Sequence, residues 1–476
     1  MTRKIGSLGR NFLEGTGVSD TLYGDGSATF SARTAGGDAL HGYTGADSLY
    51  GDVRHLRVTG RGGSDTIWAG SDRDTAYGDS YTMNASSAGG SDRIWGESGY
   101  DKLFGDTRTM SGAARGGADR LYGGHDDDSL FGDAYTMSAT TTGGADKLYG
   151  DNDRDSLYGD AYTMTGSATG GSDFLDGGND DDQLYGDAST LRGGARGGTD
   201  TLSGDSGRDT LYGDARSLIH SAIAGHDTLR GGGSEDNLYG DGYEMRNGTV
   251  GGADWLYGGS SNDRLYGDAY ALYDGAIGGA DYLSGESGNN TLYGDAYGMF
   301  ASSMGGNDSL LGSTGSDKLY GDAVSLNDQS RGGHDYLSGG SGNDVLYGDA
   351  QSTSAYAGYG NDTLLGGSGN DRLVGDSAYG GTGADYLNGG YGNDTMDGGG
   401  GRDLFAFDLS SGKDTIQYFR PGEDQIDLRA WRFASFDSLT IADRTGYALV
   451  SLSGTSHTIK LENVTKAQLS AADFIL

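Results

Sequence analysis

The chain has 476 residues, of which 94 are glycine, 1 is proline and none is cysteine; 33 basic against 69 acidic residues leave a formal charge of −36. That charge excludes a duplex or an anionic membrane as a favourable partner and makes small multivalent cations the natural counterparts. The lack of cysteine excludes disulfides, thiolate zinc sites and cysteine nucleophiles, and abundant glycine without a Gly-X-Y period excludes collagen.

Residues 1–11 form an N-terminal lead-in with Arg3, Lys4 and Arg10 but no apolar run, so it does not read as a cleavable secretory signal. No stretch approaches the roughly 18 apolar residues of a spanning helix, so no transmembrane segment is expected. Repeats then occupy residues 12–403. The segment Leu-Tyr-Gly-Asp, or a close variant, begins at Leu22, Leu49, Ala76, Leu103, Leu130, Leu157 and Leu184, and continues to Leu373 with every interval 27 residues. Disordered sequence has no reason to keep phase in this way, whereas stacked coils do, because one slipped residue turns core side chains outward.

Each unit divides into three nonapeptide arms, as in GGADKLYGD, NDRDSLYGD and AYTMTGSAT from Gly143 to Thr169. The first arm repeats an apolar residue at Leu40, Ile67, Ile94, Leu121 and onward to Leu364; the second supplies the Leu22 to Leu373 column. The third gives a looser column through Leu56, Met83, Met110, Met137, Met164 and Leu191 to Leu326. The expected fold is therefore all-β: a parallel β-roll or β-solenoid of fourteen 27-residue units, one coil each, with a C-terminal β-rich cap. An 18-residue coil is the rival, but it would mix Asp-bearing and Asp-free arms along one edge. Tyrosines after the leucines (Tyr122, Tyr149, Tyr158, Tyr185) should point outward and stack as a ladder.

Aspartates keep the same phase. The second-arm column runs Asp20, Asp47, Asp74, Asp101, Asp128, Asp155, Asp182, Asp209, Asp236 and Asp263, is interrupted by Asn290, and resumes at Asp317, Asp344 and Asp371. Asp385, Asp394 and Asp403 follow at nine-residue spacing. The first-arm column runs Asp38, Asp65, Asp92, Asp119, Asp146, Asp173, Asp200, Asp227, Asp254, Asp281, Asp308, Asp335 and Asp362. Stacked coils would hold such charges about 5 Å apart, where each pair repels by roughly 3 kcal/mol at an effective dielectric near 20. A hard cation between turns reverses the sign. Calcium accepts six to eight oxygens in flexible geometry, which suits carboxylates and glycine-turn carbonyls, whereas magnesium prefers its own waters and zinc wants His or Cys. We therefore expect multiple Ca2+ ions on these two columns and on the three trailing aspartates; neutralising the net charge would take about 18 divalent ions. A third column, Asp25, Asp52, Asp79, Asp106, Asp133, Asp160, Asp187 and onward to Asp376, is explained as well by turn capping as by metal binding.

Segments such as GGSGNDVLYGD (Gly339–Asp349) and GGSGNDRLVGD (Gly366–Asp376) resemble the RTX, or haemolysin-type, calcium-binding nonapeptide G-G-x-G-x-D-x-U-x. The resemblance departs from the pattern in three ways. GGHDDDSL (Gly123–Leu130) puts aspartate at the fourth position, first arms keep only the later Gly-x-Asp part, and third arms lack the sixth-position aspartate, so the third arms are expected to carry no site. In the family, successive nonapeptides alternate between two sheets, and a 27-residue unit departs from that too.

Residues 404–476 change composition: glycine falls, and Phe405, Phe407, Phe419, Trp431, Phe433 and Phe436 appear, with strand-like runs at Ala448–Leu452 and Thr458–Leu461. This stretch is expected to cap the last coil. GRDLFAF, KDTIQYF, GEDQIDL and the closing ADFIL are similar to the C-terminal region of serralysin-type RTX proteins, which implies a type I secretion signal and the type I secretion machinery as a partner. A terminal strand completing the cap is the plainer reading, and both can hold. The resemblance also implies a chain that stays unfolded where calcium is scarce and folds on calcium outside the cell. Neither H-E-x-x-H nor G-x-S-x-G occurs, and His125, His226 and His334 read as surface turn residues, so no enzyme is expected. Two roles follow. One is a secreted structural, matrix or cell-surface component, with self-association or a cell-surface polymer as partner. The other is an adhesin binding glycan, mineral or ice through the third-arm face, where Tyr81, Tyr135, Tyr162, Tyr243, Tyr270 and Tyr297 mix with Arg108 and Arg216.

Overall fold

A 27-residue coil closes when each arm returns beneath its own copy, and the backbone adopts this register. The computed structural model describes residues 2–377, 381–452 and 456–476, without the side chains of residues 27 and 28. First-arm strand Thr66–Ser71 pairs in parallel with Arg93–Ser98, which pairs with Arg120–His125. Second-arm Thr75–Tyr77 pairs likewise with Lys102–Phe104 and that with Ser129–Phe131. Third-arm Ser80–Met83 lies beside Thr107–Met110, and that strand beside Ala134–Met137. The chain divides into two compact units, Met1–Ala253 and Asp254–Leu476, and each is an all-β parallel solenoid of this kind. Among the described residues no helix is long and apolar enough to cross a membrane.

Strands this short turn one apolar residue inward per arm, so the core is three columns and little else. Leu121, Leu130 and Met137 of one coil, like Leu310, Leu319 and Leu326 of the second unit, are fully buried. Each buried leucine contributes about 1.5–3 kcal/mol. Parallel pairing in register sets like upon like, and the outward residues stack: Tyr122 on Tyr149 at 5.0 Å between centroids, and Tyr158 on Tyr185 at 4.7 Å. The ladders form as expected, but the second-arm ladder is not open to solvent. Tyr158 and Tyr185 are only 8% and 5% exposed, because third-arm tyrosines fold over this ladder edge-on, Tyr162 against Tyr158 and Tyr81 against Tyr77.

The lead-in already belongs to the second-arm sheet, Thr2–Ile5 pairing in parallel with Asp20–Tyr23. At the other end the coil shortens. Val345 pairs with Arg372, 27 residues on; Thr363 pairs with Tyr386, 23 on; and Tyr386 pairs with Leu404, 18 on. The cause is local. Asp349 and Asp362 stand 13 residues apart and bracket a whole third arm, whereas Asp376 and Asp385 stand only 9 apart, and the last third-arm strand among the described residues is Ala350–Thr353. Two-arm stacking continues past residue 403 through Leu404–Ala406, Lys413–Gln417 and Gln425–Asp427. An antiparallel sheet of Thr440–Arg444, Tyr447–Ser451 and Thr458–Glu462 then joins Lys413–Gln417 and covers the open edge.

Candidate metal centre

Three corners separate the three arms, and an aspartate stands at each. The second-arm aspartates precede the second strand, as Asp74 precedes Thr75–Tyr77; the first-arm aspartates precede the first strand, as Asp92 precedes Arg93–Ser98. Every residue of both expected columns, and Asp385, Asp394 and Asp403, is at most 4% exposed. Burying so many carboxylates is costly unless each is paired.

At twenty interior positions, half of the carboxylate is accounted for. Backbone N–H groups donate to Oδ1 one coil on: Asp101 to Asp128 and Asp128 to Asp155 at 2.7 Å in the second arm, Asp119 to Asp146 and Asp146 to Asp173 at 2.7 Å in the first. The other half is not. Oδ2 of Asp47, Asp74, Asp101, Asp128, Asp155, Asp182, Asp209, Asp317, Asp344 and Asp371 is buried and receives no hydrogen bond, and the same holds for Oδ2 of Asp38, Asp65, Asp92, Asp119, Asp146, Asp173, Asp281, Asp308, Asp335 and Asp362. Burial, then the charge of neighbouring aspartates, pushes Asp119 and Asp146 well above the usual carboxylate range.

The column ends supply the contrast. Asp20, at the N-terminal end, accepts from Thr16 N at 2.6 Å and Thr16 Oγ1 at 2.8 Å through Oδ2, so hydrogen bonds satisfy it. At the C-terminal end Asp385 N donates to Asp403 Oδ1, and Asp403 N to Asp424 Oδ1, so these residues extend the first-arm column. There the Arg420 guanidinium lies 3.5 Å from Asp403 Oδ2 and 3.8 Å from Asp424 Oδ1, placing a cation on the column. Asp371 N donates to Asp394 Oδ1 and Asp394 N to Asp414 Oδ1, which continues the second-arm column. Sequence reasoning missed Asp414 and Asp424 because spacing had become irregular; an aspartate two residues before a buried Ile416 or Ile426 was the available signal.

The third column is also internal. Asp52, Asp79 and Asp106 are fully buried, and each accepts from a glycine N–H across the coil: Gly63 at 3.0 Å, Gly90 at 3.0 Å and Gly117 at 2.9 Å. Turn capping thus explains one oxygen of Asp52 and one of Asp106, while both oxygens of Asp79 accept from Gly90 N. These hydrogen bonds draw the column onto the first-arm aspartates, so that carboxylate oxygens of Asp52, Asp65 and Asp79 lie within 4.8 Å of one another, as do those of Asp79, Asp92 and Asp106. The histidines take no part. His226 and His334 are exposed, and their Nδ1 atoms accept from Ala253 N and Asn361 N at 2.6 Å.

The donor set fits calcium. Anionic oxygens predominate, and carbonyls border the same spaces: a Cβ on Gly96 would lie 2.5 Å from Gly123 O and 2.7 Å from Asp101 Oδ2. Fourth-position geometry is kept where aspartate replaces glycine, since Asp126, Asp153 and Asp180 hold φ of 72°, 72° and 74°, a left-handed conformation aspartate tolerates.

Parallel coils with buried, cation-seeking carboxylates at their corners define a calcium-binding β-solenoid. Sequence comparison places it: the RTX calcium-binding nonapeptide repeat matches in successive segments from 34–53, 57–80 and 87–107 to 354–378 and 375–405, and the chain belongs to this family. Its repeats bind calcium, and this chain binds multiple ions. Among solved structures, the extracellular lipase LipA from Serratia marcescens is similar at 14% identity and a TM-score of 0.19, over 54% of this chain and 45% of that one. The chain thus spans less than half the length of that lipase. No curated protein matches the chain.

Proposed function

We propose that this protein is a secreted calcium-binding repeat protein that folds on meeting calcium outside the cell and serves there as a rigid structural, matrix or cell-surface component. First- and second-arm aspartates are its ligands in this reading. One observation carries it: interior coils hold aligned, buried Oδ2 atoms that no hydrogen bond reaches, and at the C-terminal end of the first-arm column an arginine stands over the carboxylates. Where calcium is scarce these columns repel, and binding energy becomes folding energy when the ion arrives.

Export through a C-terminal type I signal belongs to the same proposal and rests on the likeness of ADFIL and the preceding segments to serralysin-type proteins. In the folded chain Phe474–Ile475 pairs with Gln425–Asp427, and Asp473 is buried and accepts from Gly422 N at 2.6 Å. Such a signal is accessible only before folding, which agrees with folding after export. The structural role is favoured over adhesion because third-arm tyrosines, although Tyr162 and Tyr297 keep an exposed face, make contacts along the chain itself. Tyr81 accepts from Arg108 Nη1 at 2.7 Å, and Tyr162 stacks on Tyr135 at 5.0 Å.

Circular dichroism tests the reading. In chelator above about pH 8, where the buried carboxyls ionise, the chain should be coil, and calcium should induce β-structure cooperatively; a chelated chain that stays folded there overturns it.

A further inference from the structure

We propose that the aspartates of the third column are cation ligands, and that with the first-arm aspartates they hold a second line of divalent cations inside the coil, at positions outside the nine-residue motif. This rests on the calcium reading above and adds a site to it. Asp52, Asp65 and Asp79 form one group of three carboxylates, and Asp79, Asp92 and Asp106 the next, with Asp79 shared between them. None of the five is more than 2% exposed.

The independent pointer to a ligand is the set of oxygens left over. Asp52 Oδ1, Asp65 Oδ2, Asp92 Oδ2 and Asp106 Oδ1 are buried and receive no hydrogen bond. Ionised carboxylates are acceptors only, so without a shared proton or a cation they cannot satisfy one another. Gly63 and Gly117 N–H groups hold Asp52 and Asp106 in place through their other oxygens, and Gly90 N–H is shared between both oxygens of Asp79, so the group is preorganised. Among the described residues, the ion pairs of the chain involve none of the five. Charge sets the stoichiometry. Each coil adds one first-arm and one third-column aspartate, two negative charges that one divalent cation neutralises. Three anionic oxygens without histidine or cysteine select a hard cation, and calcium tolerates the irregular remainder of the shell. The 27-residue coil is what makes the line possible: its third arm separates Asp79 from Asp92 in sequence and folds them together in space.

The experiment uses the full chain loaded with calcium and dialysed. An anomalous difference map should show peaks inside the coil between Asp52, Asp65 and Asp79 and between Asp79, Asp92 and Asp106, in addition to any at the second-arm turns. In solution, Asp79→Asn should lose about two ions per chain, because it serves two groups, while Asp74→Asn in the same coil should leave the interior line intact. Peaks confined to the first- and second-arm turns, with none against the third-column aspartates, overturn the inference and leave the calcium reading standing, as does a folded Asp79→Asn that binds as many ions as the unaltered chain; shared protons would then hold the carboxylates. Absence of bound calcium altogether overturns both. Should Asp79→Asn fail to fold, the map of the unaltered chain decides.

Discussion

Asn290 is the one break in the second-arm column, and its side chain shows what that column requires. Asp263 N donates to Asn290 Oδ1 at 2.9 Å and Asn290 N donates to Asp317 Oδ1 at 2.7 Å, so the amide oxygen reproduces the ladder. The amide nitrogen then falls where other coils carry Oδ2, buried and without an acceptor. A donor there repels a cation. Asn290→Asp should therefore bind about one more calcium per chain. It should also raise the unfolding midpoint in saturating calcium and lower it in chelator, where the new charge repels its neighbours by roughly 3 kcal/mol each. Titration calorimetry and thermal melts check this; an unchanged ion count would contradict it. That Asn290 interrupts the column is legible in the sequence. That its nitrogen takes the place of the buried Oδ2 of other coils is not, because only the coil-to-coil hydrogen bonds fix which way the amide turns.

At the scale of the arm, glycines divide into those that need space and those that need a left-handed backbone. A Cβ on Gly78 would overlap Gly105 O and Asp92 Oδ2, whereas one on Gly248, at φ 68°, would meet nothing within 4 Å. Gly78→Ala should cost about 3 kcal/mol by forcing coils apart, and Gly248→Ala about 1 kcal/mol from the conformation alone. Denaturant unfolding in calcium measures both, and equal costs would refute the close-approach argument. The apolar columns and the arm boundaries were readable from period and alternation. The burial of the second-arm tyrosines was not, because it depends on third-arm rings arriving from a neighbouring face.

Across the whole molecule, the buried carboxylates couple folding to protons as well as to metal. Burial, opposed by the ladder hydrogen bond and reinforced by neighbouring aspartates, raises Asp74 and Asp128 to about 8 and Asp155 to about 9. In the unfolded chain an aspartate titrates near about 3.9. Between those values the folded, metal-free chain binds more protons than the unfolded one, so its stability falls as pH rises through the native values and is recovered on acidification. Calcium-free protein should gain β-structure between about pH 8 and about pH 5.5, while calcium-loaded protein should bind its ions more weakly over the same range, because protons compete for the oxygens. Dichroism and calorimetry at the two pH values check the opposite signs; a calcium-free chain indifferent to pH would contradict them.

The sequence by itself determined the repeat, the parallel stacking and the register of the first- and second-arm aspartate columns, since a 27-residue phase kept without slippage has one structural use, and it pointed to calcium because aligned like charges need a counter-ion. Only the tertiary structure decided how the columns meet. Asp79 and Asp92 belong to different corners of the linear pattern, and the short third arm folds them into one group. Asp414 and Asp424 rejoin columns whose spacing had dissolved, and Arg420 is placed beside the last of them. Period is a property of one dimension; convergence depends on three arms of unequal length closing around a core.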